Sequence, residues 1–157
     1  MSEKPALRRA GAADADVIAG LVHRAYRKYV PRIGRPPGPM IEDYHAVVRD
    51  HDVWVVVGME GIDAVLVLMP EPEDGTLFID NIAVEPSEQG NGLGHKLLAF
   101  AEEEARRLGL SALTLCTNEH MTENIALYTR LGFRETGHEL RRGSHTVHMR
   151  KELEGNP

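Results

Sequence analysis

The sequence predicts an α/β fold in a single domain that spans residues 1–157. Patterns typical of strands and helices alternate along the whole chain, in the order β-α-α-β-β-β-α-β-α-β-β. The 157 residues, of which 42% are hydrophobic, are enough for one core and too few for two domains of ordinary size. Two pairs of strand-like segments are separated by short polar turns, so we expect two hairpins.

The first third of the chain is predicted to contain one short strand and two helices. Residues 6–10 favour a strand, and apolar residues recur at helical spacing from Ala13 to Tyr29. The proline-rich stretch 31–39 is expected to be a stiff loop that cannot be helical, because proline lacks the amide hydrogen that a helix needs. Residues 40–50 are predicted to form the second helix.

From residue 53 onward, β-rich runs and helical patterns follow one another with short polar turns between them. The predicted segments are a hairpin at 53–59 and 62–69, a polar turn at 70–75, a strand at 76–84, a helix that ends near Gly109, a strand at 111–117, a helix around Tyr128, and a closing hairpin at 133–140 and 144–151.

The most informative stretch is the glycine-rich turn at 84–94, Val-Glu-Pro-Ser-Glu-Gln-Gly-Asn-Gly-Leu-Gly. A strand pattern enters it and a helical pattern leaves it, so the first amides of that helix point outward with the positive end of the helix dipole. Because glycines let the backbone approach a ligand closely, such a turn is typical of a phosphate site. It is not a Walker loop, since Gly94 is followed by His95 and Lys96, and His95 replaces the third glycine of a dinucleotide-binding fingerprint.

Two motifs resemble those of the GNAT superfamily, the acyl-coenzyme A-dependent N-acetyltransferases. One is Gln-x-x-Gly-x-Gly at 89–94, and the other is the segment 124–133, a helix that ends in Leu-Gly-Phe. Thr122 is predicted to cap the start of this helix, and Gly132 to end it in a left-handed conformation. The resemblance covers nearly the whole chain. It implies the GNAT fold, a mixed and mostly antiparallel sheet flanked by helices, in an N-acetyltransferase that uses acetyl-CoA as co-substrate and no metal.

The resemblance also implies roles for individual residues. Tyr128 would act as the general acid that protonates the leaving sulfur, since a tyrosine with a pKa of about 10 carries its proton at pH 7. Main-chain amides where the strand 76–84 is interrupted would hold the thioester oxygen and the pantetheine arm, and the glycine turn would bind the pyrophosphate. The implied coenzyme-binding residues are Ile82, Ala83, Val84, Gln89, Gly90, Asn91, Gly92, Leu93, Gly94 and Asn124.

The general base is the part of the mechanism that the sequence leaves open. Some members of the family place a glutamate on the strand that follows the pyrophosphate helix, but here that position is Cys116, which is expected to be a small core residue. Asp80, a carboxylate inside an apolar strand, is the candidate base, with the equal alternative that it hydrogen-bonds the interrupted backbone. Glu119, His120 and a chain of water molecules are the other candidates.

The acceptor is predicted to be the primary amine of a small molecule that attacks the thioester directly. The segment 26–40 joins the first two helices, which cover the acceptor end of the cleft in this fold. Tyr26 and Tyr29 are predicted to form a flat apolar wall, and Arg32 to bind a carboxylate, which favours an amine that also bears an acidic group. Arg32 as an ordinary surface residue, a protein or peptide amine as acceptor, and an acyl group other than acetyl stay open.

Composition and charge argue against several other partners. The 18 basic and 24 acidic side chains give a formal net charge of −6, which favours neither nucleic acid nor an anionic membrane as a partner. One cysteine allows no internal disulfide, and neither a signal-peptide core nor a run of about 20 apolar residues is present, so we expect a cytoplasmic protein, with a homodimer possible. A nucleotide enzyme of another class and a non-catalytic coenzyme A sensor are the rival interpretations.

Overall fold

A seven-stranded sheet runs through residues 6–154, the part of the chain that the computed structural model describes. The remaining residues of the predicted 1–157 domain lie outside the described part. The strands are β1 (Ala6–Arg9), β2 (Asp52–Gly58), β3 (Gly61–Glu71), β4 (Thr76–Val84), β5 (Ala112–Asn118), β6 (Arg134–Arg141) and β7 (Ser144–Glu152). Their order in the sheet is β1-β2-β3-β4-β5-β7-β6, and of these neighbours only β4 and β5 run parallel.

Helices cover both faces of this sheet and divide its apolar residues into two cores. On one face, buried residues such as Leu21 and Val47 pack against Val65 of β3. On the other face, Leu97 and residues near it pack against the opposite side of the same strands, for example Leu66. The predicted fold class, a mixed and mostly antiparallel sheet flanked by helices, is therefore confirmed. The helices are α1 (Ala15–Tyr26), α2 (Val30–Ile33), α3 (Tyr44–Asp50), α4 (Leu93–Arg107) and α5 (Thr122–Arg130).

The prediction that 31–39 contains no helix is wrong, since α2 includes Pro31. This proline lies in the first turn, where the missing amide hydrogen would have no partner within the helix. Gly34 then ends α2 with a left-handed φ of 88°. The next helix, α3, begins later than predicted because the side chain of Asp43 accepts hydrogen bonds from the first amides of a helix that starts at Tyr44.

Two further boundaries differ from the sequence prediction. β3 continues to Glu71, through Pro70, although a turn was predicted to begin at residue 70. Met121 occupies the N-cap position of α5, where Thr122 was predicted, and the hydroxyl of Thr122 instead donates to the side chain of Glu123. The end of α5 is as predicted, with Gly132 at a left-handed φ of 100°.

The parallel strands β4 and β5 separate after a short stretch of pairing. They pair only from Thr76 with Ala112 to Ile79 with Leu115. At that point β4 carries a bulge, because consecutive residues of β3 pair with Ile79 and Asn81 and skip Asp80. Beyond the bulge β4 pairs with β3 and β5 pairs with β7, so the sheet opens between its two central strands.

Candidate active site

Two cavities meet where β4 and β5 separate, with volumes of about 440 and 450 Å³. The first, here called the strand cavity, is lined by Asp80, Cys116 and the loop that follows α2. The second, the turn cavity, is lined by the glycine turn that precedes α4, including Gly90 and Gly92. The residues that line both cavities are Tyr26, Ile82, Asn124 and Tyr128.

Tyr128 lies on α5 between the two cavities. Its side chain is 5% exposed, and its ring packs against Phe133 with the ring centroids 5.6 Å apart. Burial, with a smaller contribution from Tyr29, raises the pKa of the Tyr128 hydroxyl further above its ordinary value. At neutral pH this hydroxyl is therefore a proton donor and not a base.

Asp80 is the bulge residue of β4, and its half-buried carboxyl group lines the strand cavity. Burial raises the pKa of Asp80, and the nearby negative charge of Glu42 adds to the effect. A carboxylate with a raised pKa in a cavity can attract an ammonium group or accept a proton.

Asn81, which the sequence analysis did not identify, anchors the bulge. Its side-chain carbonyl accepts a hydrogen bond of 2.8 Å from the hydroxyl of Tyr26, and its amide donates to the hydroxyl of Tyr44 at 3.1 Å. Tyr44 in turn donates to the carbonyl of Pro39 at 2.6 Å. This buried network fixes the bulge to α1 and α3. The sequence signal for Asn81 is the adjacent polar pair 80–81 within an otherwise apolar strand.

The glycine turn forms a concave backbone at the start of α4. Gly90 and Gly92 have left-handed φ values of 90° and 83°, and Gly92, as the N-cap residue, has no side chain to bond the first amides of the helix. A Cβ atom built on either glycine would meet nothing within 4 Å. Gln89 closes the turn, with its amide donating to the carbonyl of Val84 at 3.3 Å. The first turn of α4 is thus suited to an anion.

The edge of β4 beyond the bulge lies along the turn cavity through Ile82, Ala83 and Val84. Since β5 has turned away, this edge has backbone groups that no strand within residues 6–154 pairs with. An extended ligand can bind such an edge as an added strand would. Asn124 lies opposite, 3.5 Å from the hydroxyl of Tyr29.

The remaining predicted residues fall both inside and outside the two cavities. Leu93 and Gly94 line the turn cavity, as does Tyr29. Asn91 lines neither, and its side chain donates to Glu88 at 2.9 Å.

Arg32 requires a correction, because its guanidinium lines neither cavity and is 2.5 Å from the carboxylate of Glu123. The short helix α2 turns this side chain toward α5. The arginines that do line the strand cavity are Arg35, Arg141 and Arg142.

The alternative base candidates are also placed by the structure. Glu119 and His120 line neither cavity, and the carboxylate of Glu119 accepts hydrogen bonds from the amide and ring of His145. The expectation that Cys116 is a core residue is wrong, since it is exposed and lines the strand cavity. Its sulfur lies 3.1 Å from Nδ1 of His148.

The described residues contain neither a metal-binding cluster nor a membrane-spanning helix. Across residues 6–154, no three His, Cys, Asp or Glu side chains gather closely enough to hold a metal ion. Over the same range, no helix combines the length and apolar character needed to cross a membrane.

The described residues thus form an α/β fold whose sheet opens between two parallel strands, beside a glycine turn at a helix N-terminus. The chain belongs to the acetyltransferase (GNAT) family, whose sequence model matches residues 20–133. The predicted family and the predicted enzyme class, an acetyltransferase, are therefore confirmed.

Individual relatives are similar over different parts of the chain. The IAA acetyltransferase of Azospirillum brasilense is 39% identical over 67 residues, which cover 43% of this chain and 44% of the relative. The [ribosomal protein bS18]-alanine N-acetyltransferase of Escherichia coli is 41% identical over 63 residues, or 40% of this chain and 41% of the relative. The match thus spans less than half the length of each of these two relatives.

A solved structure is similar over almost the whole fold. The PaiA N-acetyltransferase of Thermoplasma acidophilum, in complex with coenzyme A, superposes with a TM-score of 0.81 at 13% identity, covering 98% of this chain and 100% of that chain. At this low identity the likeness concerns the fold alone.

Proposed function

We propose that this protein transfers the acetyl group of acetyl-CoA to a primary amine by direct attack, with Tyr128 as the general acid. The observation that carries the proposal is that Tyr128 lines both cavities where β4 and β5 separate. A donor in one cavity and an acceptor in the other would then meet at its hydroxyl. The unit that acts in this way is residues 1–157 as one domain.

The turn cavity is the proposed donor site. The amides at the start of α4, beside Gly90 and Gly92, would bind the pyrophosphate. Arg130 and Lys28 also line this cavity, but Lys28 is paired with Glu123 at 3.5 Å. The pantetheine arm would follow the edge of β4 at 82–84, with Asn124 opposite. The complex of PaiA with coenzyme A supports a donor of this chemistry.

The reaction needs a neutral amine, and an unperturbed lysine amine, with a pKa of about 10.4, is almost entirely protonated at pH 7. The nitrogen attacks the thioester carbon while backbone amides near the bulge stabilise the charge that develops on the oxygen. The carbon–sulfur bond then breaks, and the coenzyme A sulfur takes the proton of the Tyr128 hydroxyl.

The strand cavity is the proposed acceptor site, and its charges favour a small amine that also bears an acidic group. Asp80 would attract the ammonium, while Arg142 lies at the same cavity to receive an anion. The guanidinium groups of Arg141 and Arg35 are already bound, the first to Glu139 and the second to main-chain carbonyls of the β6–β7 turn. A protein N-terminus is the alternative acceptor, since one relative is named for the alanine of a ribosomal protein.

The experiment that tests the proposal is a screen for acetyl-CoA-dependent release of free thiol. The panel contains amino acids, their amides, polyamines and a peptide with a free N-terminal alanine. We expect turnover with an acceptor that combines amine and carboxylate. Binding of acetyl-CoA without thiol release from any amine would instead favour a coenzyme A sensor, and a preference for the peptide would favour a protein acceptor.

Asp80→Asn should lower kcat/KM for the acceptor at least about tenfold at neutral pH, because the variant can neither attract an ammonium nor accept a proton. It should also raise the melting temperature. The pKa of Asp80 is raised in the folded state. The wild type therefore loses stability as pH rises from the unfolded-state pKa through the folded-state pKa, because the ionised carboxylate is disfavoured in the fold. The asparagine of the variant does not ionise, so the variant does not lose this stability. Melting curves between pH 4 and 8 and initial rates measure both effects. A lower melting temperature with an unchanged rate per folded molecule would show a purely structural role.

Arg142→Ala should raise KM for an acidic acceptor by at least about tenfold, since a charged hydrogen bond contributes about 1.5–3 kcal/mol. KM for acetyl-CoA should stay the same, because this arginine lines only the strand cavity. Arg32→Ala is the matched comparison. Its guanidinium is bound to Glu123 outside both cavities, so KM for the acceptor should not change. The opposite pattern in the two variants would restore Arg32 as the acceptor-binding arginine.

A further inference from the structure

Three side chains on neighbouring strands form a hydrogen-bonded chain that begins in the strand cavity. The sulfur of Cys116 on β5 lies 3.1 Å from Nδ1 of His148 on β7. Nε2 of the same ring lies 2.8 Å from a carboxylate oxygen of Glu139 on β6. Cys116 and His148 are direct partners in the β5–β7 ladder, so the regular sheet holds them in place.

The partners of the histidine fix where its proton resides. Arg141 donates two hydrogen bonds to Glu139, and these hold the pKa of this carboxyl below its usual value. The ionised carboxylate only accepts, so Nε2 of His148 carries the hydrogen and donates it. Nδ1 is then free to accept the hydrogen of the Cys116 thiol.

Cys116 is the first residue of β5 beyond its last pair with β4, and it shares the strand cavity with Asp80 and Tyr128. Although Cys116 is exposed at the cavity, the protein atoms around its sulfur partly desolvate the thiol and raise its pKa, so the resting group is protonated and not a preformed thiolate. A protonated thiol backed by a histidine and a carboxylate has the arrangement of an activated group and its base.

We propose that Cys116, His148 and Glu139 are the proton-accepting chain for the acceptor amine. The inference rests on the proposed function. It identifies a base for the reaction, a role that the protonated hydroxyl of Tyr128 cannot fill. As nitrogen bonds to the thioester carbon, an N–H proton passes to the sulfur of Cys116, and the thiol proton passes to Nδ1 of His148. One proton has then moved from nitrogen to imidazole, and the sulfur ends as a thiol again.

The other members of the site keep separate roles in this scheme. Glu139 is a positioning residue that stabilises the imidazolium. Asp80 attracts the ammonium and accepts its first proton, which leaves the neutral amine that attacks, and this proton then passes to water. The leaving coenzyme A sulfur takes its proton from Tyr128, and the phenolate that remains regains a proton from water. The side chain of His148 is 32% exposed, so it can return its proton to water. No electron transfer or further reactant is needed.

In this scheme only the neutral imidazole of His148 can accept the proton. The charged groups around the Cys116–His148 pair are Glu139 and Arg141 from β6, Asp80 from β4 and Glu71 from β3.

The experiment compares kcat–pH profiles of the wild type and its variants with the acceptor found in the screen. His148→Gln should lower kcat at least about 100-fold at neutral pH, and its residual rate should follow only the free amine. Cys116→Val should lose as much, while Cys116→Ser, which keeps a hydroxyl relay, should stay within about tenfold of the wild type. KM for acetyl-CoA and the melting temperature are measured for each variant.

His138→Gln is the matched control, since His138 lies on the same sheet, 2.9 Å from Glu135, and lines neither cavity. It should keep the wild-type kcat–pH profile.

A second readout, alkylation of the thiol, needs no acceptor. Because the chain has one cysteine, alkylation by iodoacetamide reports on Cys116 alone. His148→Gln should slow it about tenfold at pH 7 by removing the proton acceptor, and His138→Gln should not.

The outcomes distinguish this inference from the proposed function. A wild type that turns over no amine overturns both. A wild type that turns over an amine, with unchanged kcat and pH profile in His148→Gln and Cys116→Val, overturns the inference and leaves the acetyltransferase intact. Unchanged alkylation of Cys116 in His148→Gln also overturns it.

Discussion

Replacement of Gly92 by valine is expected to abolish the rise in melting temperature that acetyl-CoA gives the wild type. A ligand that binds only the folded state stabilises it by about 2.7 kcal/mol at a concentration of 100 Kd, which is a readily measured shift. Gly92 is the N-cap of α4 with a left-handed φ of 83°, and a side chain there would project into the turn cavity. Thermal melts with and without acetyl-CoA measure the effect.

The control for this variant is Gly109→Val. Gly109 has a similar φ of 75°, lies just beyond the other end of α4, and likewise has nothing within 4 Å of a built Cβ. Both variants should lower the melting temperature of the free protein, because valine is strained at positive φ. Only Gly109→Val should keep the shift with acetyl-CoA. A full shift in Gly92→Val would show that the glycine turn is not the donor site.

Tyr128→Phe is expected to lower kcat by about 10²–10⁴-fold, the usual contribution of a general acid, with little change in the affinity for acetyl-CoA. Phenylalanine keeps the ring that packs against Phe133, so the core is retained and only the hydroxyl is lost. Because the pKa of Tyr128 is raised, the wild type should keep this proton up to alkaline pH. Steady-state kinetics with both substrates measures the loss.

Tyr44→Phe provides the comparison for loss of a buried tyrosine hydroxyl. Tyr44 lines neither cavity, and its hydroxyl bonds Pro39 and Asn81. This variant should lose about 1 kcal/mol of stability and keep its rate per folded molecule. If Tyr128→Phe behaves in the same way, with a lower melting temperature and the parent rate, then water supplies the proton and Tyr128 is structural.

Local patterns were sufficient to predict most of the fold. The two hairpins and the order of strands and helices depend on hydrophobic periodicity and turn residues, which operate over a few neighbouring positions. The left-handed Gly132 also followed from the sequence, because the end of a helix is a local feature. The prediction for Pro31 is wrong because the missing amide hydrogen excludes proline from a helix interior but not from a first turn, where Pro31 lies.

The parts of the site that could not be predicted from the sequence depend on contacts between residues that are far apart in the chain. His148 meets Cys116 only because β7 pairs with β5 at that register, 32 residues apart in the chain. Arg32 does not line the strand cavity, and its guanidinium instead binds Glu123, which lies 91 residues away in the chain. The composition of the loop led to the prediction that Arg32 binds the acceptor, but of the two arginines in the proline-rich stretch 31–39 only Arg35 lines the strand cavity.

The separation of β4 and β5 also divides the site into one cavity built largely on helices and strands and one closed by loops. The turn cavity is built largely from regular elements, β4 and the helices α1, α4 and α5, whose positions the two cores fix. The strand cavity is closed by the loop after α2 and the tip of the β6–β7 hairpin, where Arg35 holds the carbonyl of Arg142. Surface loops of this kind accept substitutions and insertions without loss of the core. On the proposed function, the acceptor could therefore change by substitutions in these two loops, while the proposed donor site stays as it is.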